Sequence, residues 1–264
     1  MEVFSWEDLL KQPDVIPYAK NGTGITVGCF DGFHLGHQKI FDKLTDFCKK
    51  NELVSGVITF GKQITSVKSS NEYFGYLTKS EDFSLIEKFY PQVKFCIVID
   101  FTPEFAKMSG DEFFLKLKKI INLKYIAEGT DFRCGYKGSM GMNEIKDFGT
   151  ANSITCDFIQ PVFLENYSEE RISSSLIRKC IYEGKLSIAN QMLGYNYQLD
   201  FSDLKFNFDS GNKVFFMEKT KISQILPEKG EFLVQSENKE EKLVFTEKNI
   251  YCTNDIKKAV FIAD

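Results

Sequence analysis

A chain of 264 residues that is 43% hydrophobic and 27% charged can bury a real core in one large domain or two smaller ones, which excludes an extensively disordered protein. Its net charge of −4 supplies no bulk attraction to nucleic acid or to a membrane surface. No run approaches the roughly 18 apolar residues of a membrane span, and MEVFSWEDLL has neither the basic start nor the long apolar core of a secretory leader.

Residues 24–30, GITVGCF, form a short β-type run that ends in a Gly/Asp loop. Ile40, Phe41, Leu44, Phe47 and Cys48 then recur at helical spacing, and Lys49 and Lys50 suit a helix C-terminus, so the pattern predicts a helix over 36–50. LVSGVITF at 53–60 reads as a buried strand. Strand, helix and strand make a βαβ unit, the building block of parallel sheets. KFCIVID at 94–100 predicts another strand. Phe113, Phe114, Leu117, Ile120 and Ile121 predict a second helix with Asp111 as its N-cap. KYIAEG at 124–129 predicts a strand followed by a Gly-rich loop, and ITCDFIQ at 153–159 a further strand. Residues 174–183 and 185–193 read as two short helices divided by Gly184 and closed by Gly194. Past about residue 198 short β runs alternate with DSGN, PEKG and ENKEE, which are turn sequences. This tail predicts a small open barrel or sheet.

The seven cysteines are odd in number, widely spaced and without a C-x-x-C pair. They read as reduced thiols of a cytosolic protein, mostly small apolar core residues.

Only two histidines occur, His34 and His37, and both fall in GCFDGFHLGH at 28–37. A helix start offers unpaired N–H groups and about half a positive charge, so it receives anions. Gly28, Gly32 and Gly36 allow tight turns and close approach to a ligand. His34 is expected just before the helix and His37 in its first turn, three residues apart, where both imidazoles can donate to phosphate oxygens. An isolated histidine near a loop is more often structural, and a zinc pair lacks a third ligand cluster. The position at the carboxyl end of a parallel strand is where doubly wound sheets bind ligands. Asp31 reads two ways: as the residue that shapes the loop, or as one that places magnesium or its waters. A second cluster, Arg171, Ser173, Ser174, Ser175 and Arg178, opens a helix with capping hydroxyls and one guanidinium a turn in. Alone it would be an ordinary capped surface helix.

GCFDGFHLGH resembles the first motif of the nucleotidylyltransferase superfamily. It is most similar to the G-x-F-D-G-x-H-x-G-H form of bacterial FAD synthetases, the N-terminal modules of bifunctional riboflavin kinase/FMN adenylyltransferases. GTDFRCG at 129–135 resembles the family's G-x-[DN]-F-x-F-G segment, and RISSSLIRKCIYEGKLSIANQMLGYNY at 171–197 its R-[IV]-S-S-T-x-I-R motif. The resemblance implies an α/β fold: a Rossmann-like nucleotidylyltransferase domain over 1–197, then a small all-β domain over 198–264 similar to a trimmed riboflavin kinase barrel. It implies transfer of the adenylyl group of ATP to FMN, with Mg²⁺, giving FAD and pyrophosphate in the cytoplasm. No nucleic-acid or membrane partner is implied. His34, His37 and Arg178 would be catalytic. Gly28, Phe30, Asp31, Gly36, Arg171, Ser173, Ser174 and Ser175 would bind ATP. Asp131 and Phe132 would lie near the flavin or ribose, in a loop closing over the substrates.

The chain departs from the family pattern in several places. Cys29 stands for Asn, and Ser175 for a usual Thr, which keeps the hydroxyl. Gly61-Lys62-Gln63-Ile64 stands for a Glu-Pro-His-Pro type segment that lines the flavin side. No Gly-x-Pro-Thr-Ala-Asn kinase motif follows residue 197, although ILPEKGEFLV at 225–234 is similar to a kinase-barrel strand. Absence of kinase activity is the expectation. Another phosphorylated acceptor, or a decayed nucleotide- or flavin-binding protein, are the alternative readings.

Overall fold

The computed structural model describes residues 1–11, 19–61, 75–78, 83–165, 167, 169–237 and 239–262. Two compact units emerge, the first from Met1–Phe30, Gly36–Lys68 and Phe83–Pro161, the second from Asp31–Leu35, Ser69–Asp82 and Val162–Asp264.

The first unit carries a six-stranded, all-parallel sheet built from β1 (Glu2–Ser5), β2 (Thr23–Val27), β3 (Val54–Phe60), β4 (Phe95–Ile99), β5 (Leu123–Gly129) and β6 (Thr155–Ile159), in the order β1-β4-β3-β2-β5-β6. β2 is buried along its whole length and β3 along most of it, as expected of strands covered on both faces. Between β2 and β3 runs α2 (Leu35–Lys50), after a short α1 (Trp6–Lys11), and α2 turns Phe41, Leu44, Thr45 and Cys48 inward. After α3 (Ser84–Phe89), α4 (Gly110–Ile121) buries Phe113, Phe114, Leu117, Ile120 and Ile121, the stripe expected from the spacing. Its N-cap is Ser109, not Asp111: the Ser109 hydroxyl accepts the Glu112 amide at 3.1 Å, while Asp111 lies in the first turn, where its charge complements the helix dipole. α5 (Met142–Asn152) leads from β5 to β6 in a stretch where the sequence patterns gave no helix. Trp6, Ile25, Ile58, Phe95, Ile97, Phe114, Leu117 and Ile126 belong to the core of this unit.

The second unit holds α6 (Ser174–Tyr182), α7 (Leu186–Leu193) and an antiparallel, seven-stranded sheet in the order β7-β13-β10-β11-β12-β9-β8. Its strands are β7 (Gln198–Asp200), β8 (Asn207–Asp209), β9 (Val214–Glu218), β10 (Gly230–Ser236), β11 (Lys239–Phe245), β12 (Asn249–Cys252) and β13 (Lys258–Phe261). Burial alternates along β10 from Phe232 and along β11 from Glu241, so one face is packed and the other is open to solvent. The packed face joins α6 and α7 in a single core that includes Ile177, Ile181, Leu193, Tyr197, Val234, Leu243 and Phe261. Gly184 and Gly194 take left-handed backbone at the ends of the two helices, as the sequence predicts. The fold is therefore α/β with a separate all-β sheet, as expected.

Candidate functional site

In the first unit the site begins where two strands part. The β2–β3 ladder continues to Val27↔Ile58, and β5–β6 to Gly129↔Ile159, but β2–β5 stops at Ile25↔Ile126. The chain leaves β2 toward β3 and leaves β5 toward β6, in opposite directions. This is the topological switch point at which open α/β sheets bind ligands, outside the carboxyl ends of the strands.

The chain turns at Gly28 directly after β2. A Cβ on Gly28 would stand 3.0 Å from the Phe30 ring, so the glycine lets that ring fold back over the strand end. Phe30 is buried with a left-handed φ of 49°, a conformation that a bulky residue adopts only when its surroundings impose it. Its ring meets the His37 imidazole edge-on at 5.3 Å and Phe41 at 5.2 Å. α2 starts at Leu35, which puts His37 in its first turn and His34 immediately before it, as expected. Tyr90 buttresses the same helix: its hydroxyl lies 2.8 Å from the Gln38 carbonyl and 2.6 Å from Asp42, and burial pushes its pKa up. At the end of β5, Asp131 is exposed and Phe132 packs against the core of the unit, below a turn closed by its amide on the Gly129 carbonyl at 3.0 Å.

Asp31–Leu35 belongs to the second unit, with Arg171, the serines and Arg178. Asp31 is buried. One carboxylate oxygen accepts the amides of Leu77 at 2.9 Å and Thr78 at 3.1 Å, and the other pairs with Arg178. The Arg178 Nε donates to the Gly75 carbonyl at 2.8 Å. The Ser174 hydroxyl donates to the Asp31 carbonyl at 2.9 Å, and the Tyr195 hydroxyl to the Gly32 carbonyl at 2.6 Å. Ser173 is the N-cap of α6 and accepts the Leu176 amide at 3.2 Å. Ser175 and Arg171 are exposed. Gly32 has a φ of 76°, and a Cβ there would lie 2.4 Å from Leu77. The Asp31–Leu35 segment is thus held by α6, by Tyr195 and by residues 75–78 of the same unit.

His34 is 6% exposed, and its pKa falls to about 4, chiefly through burial, with the positive charges of Arg171 and Arg178 acting the same way against a backbone hydrogen bond that raises it. At neutral pH it is an uncharged imidazole with one N–H to donate. A neutral N–H donor within the electrostatic reach of Arg171 and Arg178 is suited to an anion.

The sequence patterns missed Glu128, Tyr195 and the partners at Gly75, Leu77 and Thr78. A carboxylate one residue before the end of the apolar KYIAEG run was the available signal for Glu128. The segment after Phe60 at which the chain departs from the family pattern lies outside the described residues from Lys62 to Phe74.

A model of the FAD synthetase family matches residues 16–176, more than half of the chain. This chain belongs to the FAD synthetase family. A bifunctional riboflavin kinase/FMN adenylyltransferase of Buchnera aphidicola subsp. Schizaphis graminum is 29% identical over 184 residues, covering 68% of this chain and 57% of the relative. A Listeria monocytogenes protein of the same name is 30% identical over 176 residues, 66% of this chain and 54% of that one. A FAD synthetase of Listeria monocytogenes is 26% identical over 175 residues, covering 66% of this chain and 70% of its own. The matches span little more than half the length of the bifunctional relatives. A solved structure described as a macrolide-efflux protein from Streptococcus pneumoniae shares the fold, with a TM-score of 0.69 at 20% identity over 90% of this chain and 91% of that one. Among the described residues no helix is long and apolar enough to cross a membrane.

Proposed function

We propose that the protein transfers the adenylyl group of ATP to FMN. The observation that carries this reading is the family motif at the carboxyl end of β2, on one side of the strand split, where it opens α2. A terminal phosphate oxygen of FMN attacks the α-phosphorus of ATP in line. A new P–O bond forms, the α–β bridge breaks, and pyrophosphate leaves with the electron pair. The attacking phosphate is already anionic near pH 7, so no side-chain nucleophile and no strong base are required. His34 and His37 donate to the transferring and bridging oxygens. The α2 N-terminus, with Gly28, Phe30, Asp31 and Gly36, shapes the phosphate cradle. Arg171, Ser173, Ser174, Ser175 and Arg178 hold the departing pyrophosphate, and Asp131 and Phe132 face the flavin or ribose.

Among the described residues no group of three His, Cys, Asp or Glu side chains could hold a metal ion, and the Asp31 carboxylate is committed to Leu77, Thr78 and Arg178. These residues do not form a resident magnesium site. Mg²⁺ would enter on the ATP phosphates, which with water supply most of the oxygen ligands it prefers.

The adenylyltransferase module is proposed to run over residues 1–197, with 198–264 a trimmed relative of a kinase barrel that lacks kinase activity. The protein would work in the cytoplasm on the small molecules ATP and FMN. Incubation with Mg²⁺, ATP and FMN should yield FAD and pyrophosphate in equal amounts. Pyrophosphate released only with another phosphorylated acceptor would replace FMN in this reading. ATP bound without turnover on any acceptor would leave a nucleotide-binding protein. Riboflavin in place of FMN should give no product.

A further inference from the structure

Glu128 lies on β5, 2% exposed, at the level where β5 has separated from β2. Amides alternate sides along a strand. The Gly28 amide points to β3 and meets the Ile58 carbonyl at 3.0 Å, so the Val27 amide points the other way, toward β5. Past Ile126 that side offers β2 no ladder partner. A buried amide without an acceptor is costly. The Glu128 side chain fills the place: its Oε1 accepts the Val27 amide at 2.6 Å and sits 3.4 Å from the Thr26 hydroxyl.

We propose that Glu128 is a positioning residue for the nucleotide site: its carboxyl substitutes for the carbonyl that β5 no longer presents, fixes the last residue of β2, and so sets the Gly28–Phe30 turn against which ATP lies. The assignment rests on the adenylyl-transfer reading for the identity of the nucleotide. Burial raises the Glu128 pKa well above its ordinary value, the hydrogen bonds from Val27 and Thr26 act against that rise, and Asp131, on the following turn, adds to it.

The test compares wild type with Glu128→Gln and Glu128→Leu, measuring ATP affinity by calorimetry and FMN affinity by fluorescence. Glu128→Leu should weaken ATP binding about tenfold or more, because it strands the Val27 amide, and leave FMN binding within about twofold. Glu128→Gln keeps the acceptor and should restore most of the lost affinity. ATP affinity undiminished in a folded Glu128→Leu overturns the assignment. If Glu128→Leu does not fold, a Glu128→Gln protein that binds ATP as poorly as an unrelated loop variant overturns it equally. ATP bound with the expected variant effects but no FAD formed would remove the adenylyl-transfer reading and leave the role of Glu128 standing.

Discussion

Protonation of His34 offers a direct check on the electrostatics of the motif. Its pKa of about 4 lies 2.5 units below the ordinary 6.5. At roughly 1.36 kcal/mol per unit, the folded state resists the proton by about 3 kcal/mol relative to the unfolded chain. The sign follows from linkage. The unfolded chain takes up the proton first, so this stabilisation is fully present above about pH 6.5 and is lost as the pH falls through about 4. At about pH 5.2, midway between the two values, an ordinary histidine is mostly charged, while His34 remains mostly neutral. With only two histidines in the chain, a proton–carbon correlation spectrum of the imidazoles contains two ε1 signals, and His37→Gln assigns them. The His34 signal should stay fixed from about pH 8 to about pH 5 and move only near pH 4. An inflection near pH 6.5 would refute both its burial and the influence of the two arginines.

Asp31→Asn removes the partner of Arg178 in a largely buried pair and should cost the second unit about 3 kcal/mol in urea unfolding; an unchanged midpoint would show that the pair is not formed in solution. Gly32→Ala places a Cβ 2.4 Å from Leu77 on left-handed backbone, and should lower the melting temperature by an amount equivalent to about 1–3 kcal/mol. His37→Ala should leave the far-ultraviolet circular dichroism unchanged and cut the turnover of ATP and FMN roughly a hundredfold; wild-type turnover would take His37 out of the chemistry.

Period and punctuation made most of the fold legible. α2, α4, α6 and α7 carry clear apolar stripes, and β3, β4, β5 and β6 are apolar runs bounded by polar or Gly residues. α5 was not legible, because MNEIKDFGTAN buries little beyond Ile145, Phe148 and Gly149 and follows a Gly-rich loop. β1 and β12 are four residues each, too short to show a period. At the site, the residue types and the placement of the histidines at the start of α2 were readable from one stretch. The partners of Asp31 were not. Leu77 is 46 residues away and Arg178 is 147, and nothing local in the chain encodes such pairings. The same holds for Glu128 and Val27, 101 residues apart, whose contact exists only because the strands part between them. The Asp31 carboxylate accepts the Leu77 and Thr78 amides and pairs with Arg178.

The proposed reaction is direct transfer of the adenylyl group from ATP to the phosphate of FMN. A quenched single turnover with Mg²⁺, FMN and ATP labelled at a stereogenic α-phosphorus tests it most directly. The label should pass wholly into FAD with inverted configuration and never reside on the protein. Label recovered as AMP, on a side chain, or in FAD with retained configuration would contradict the account.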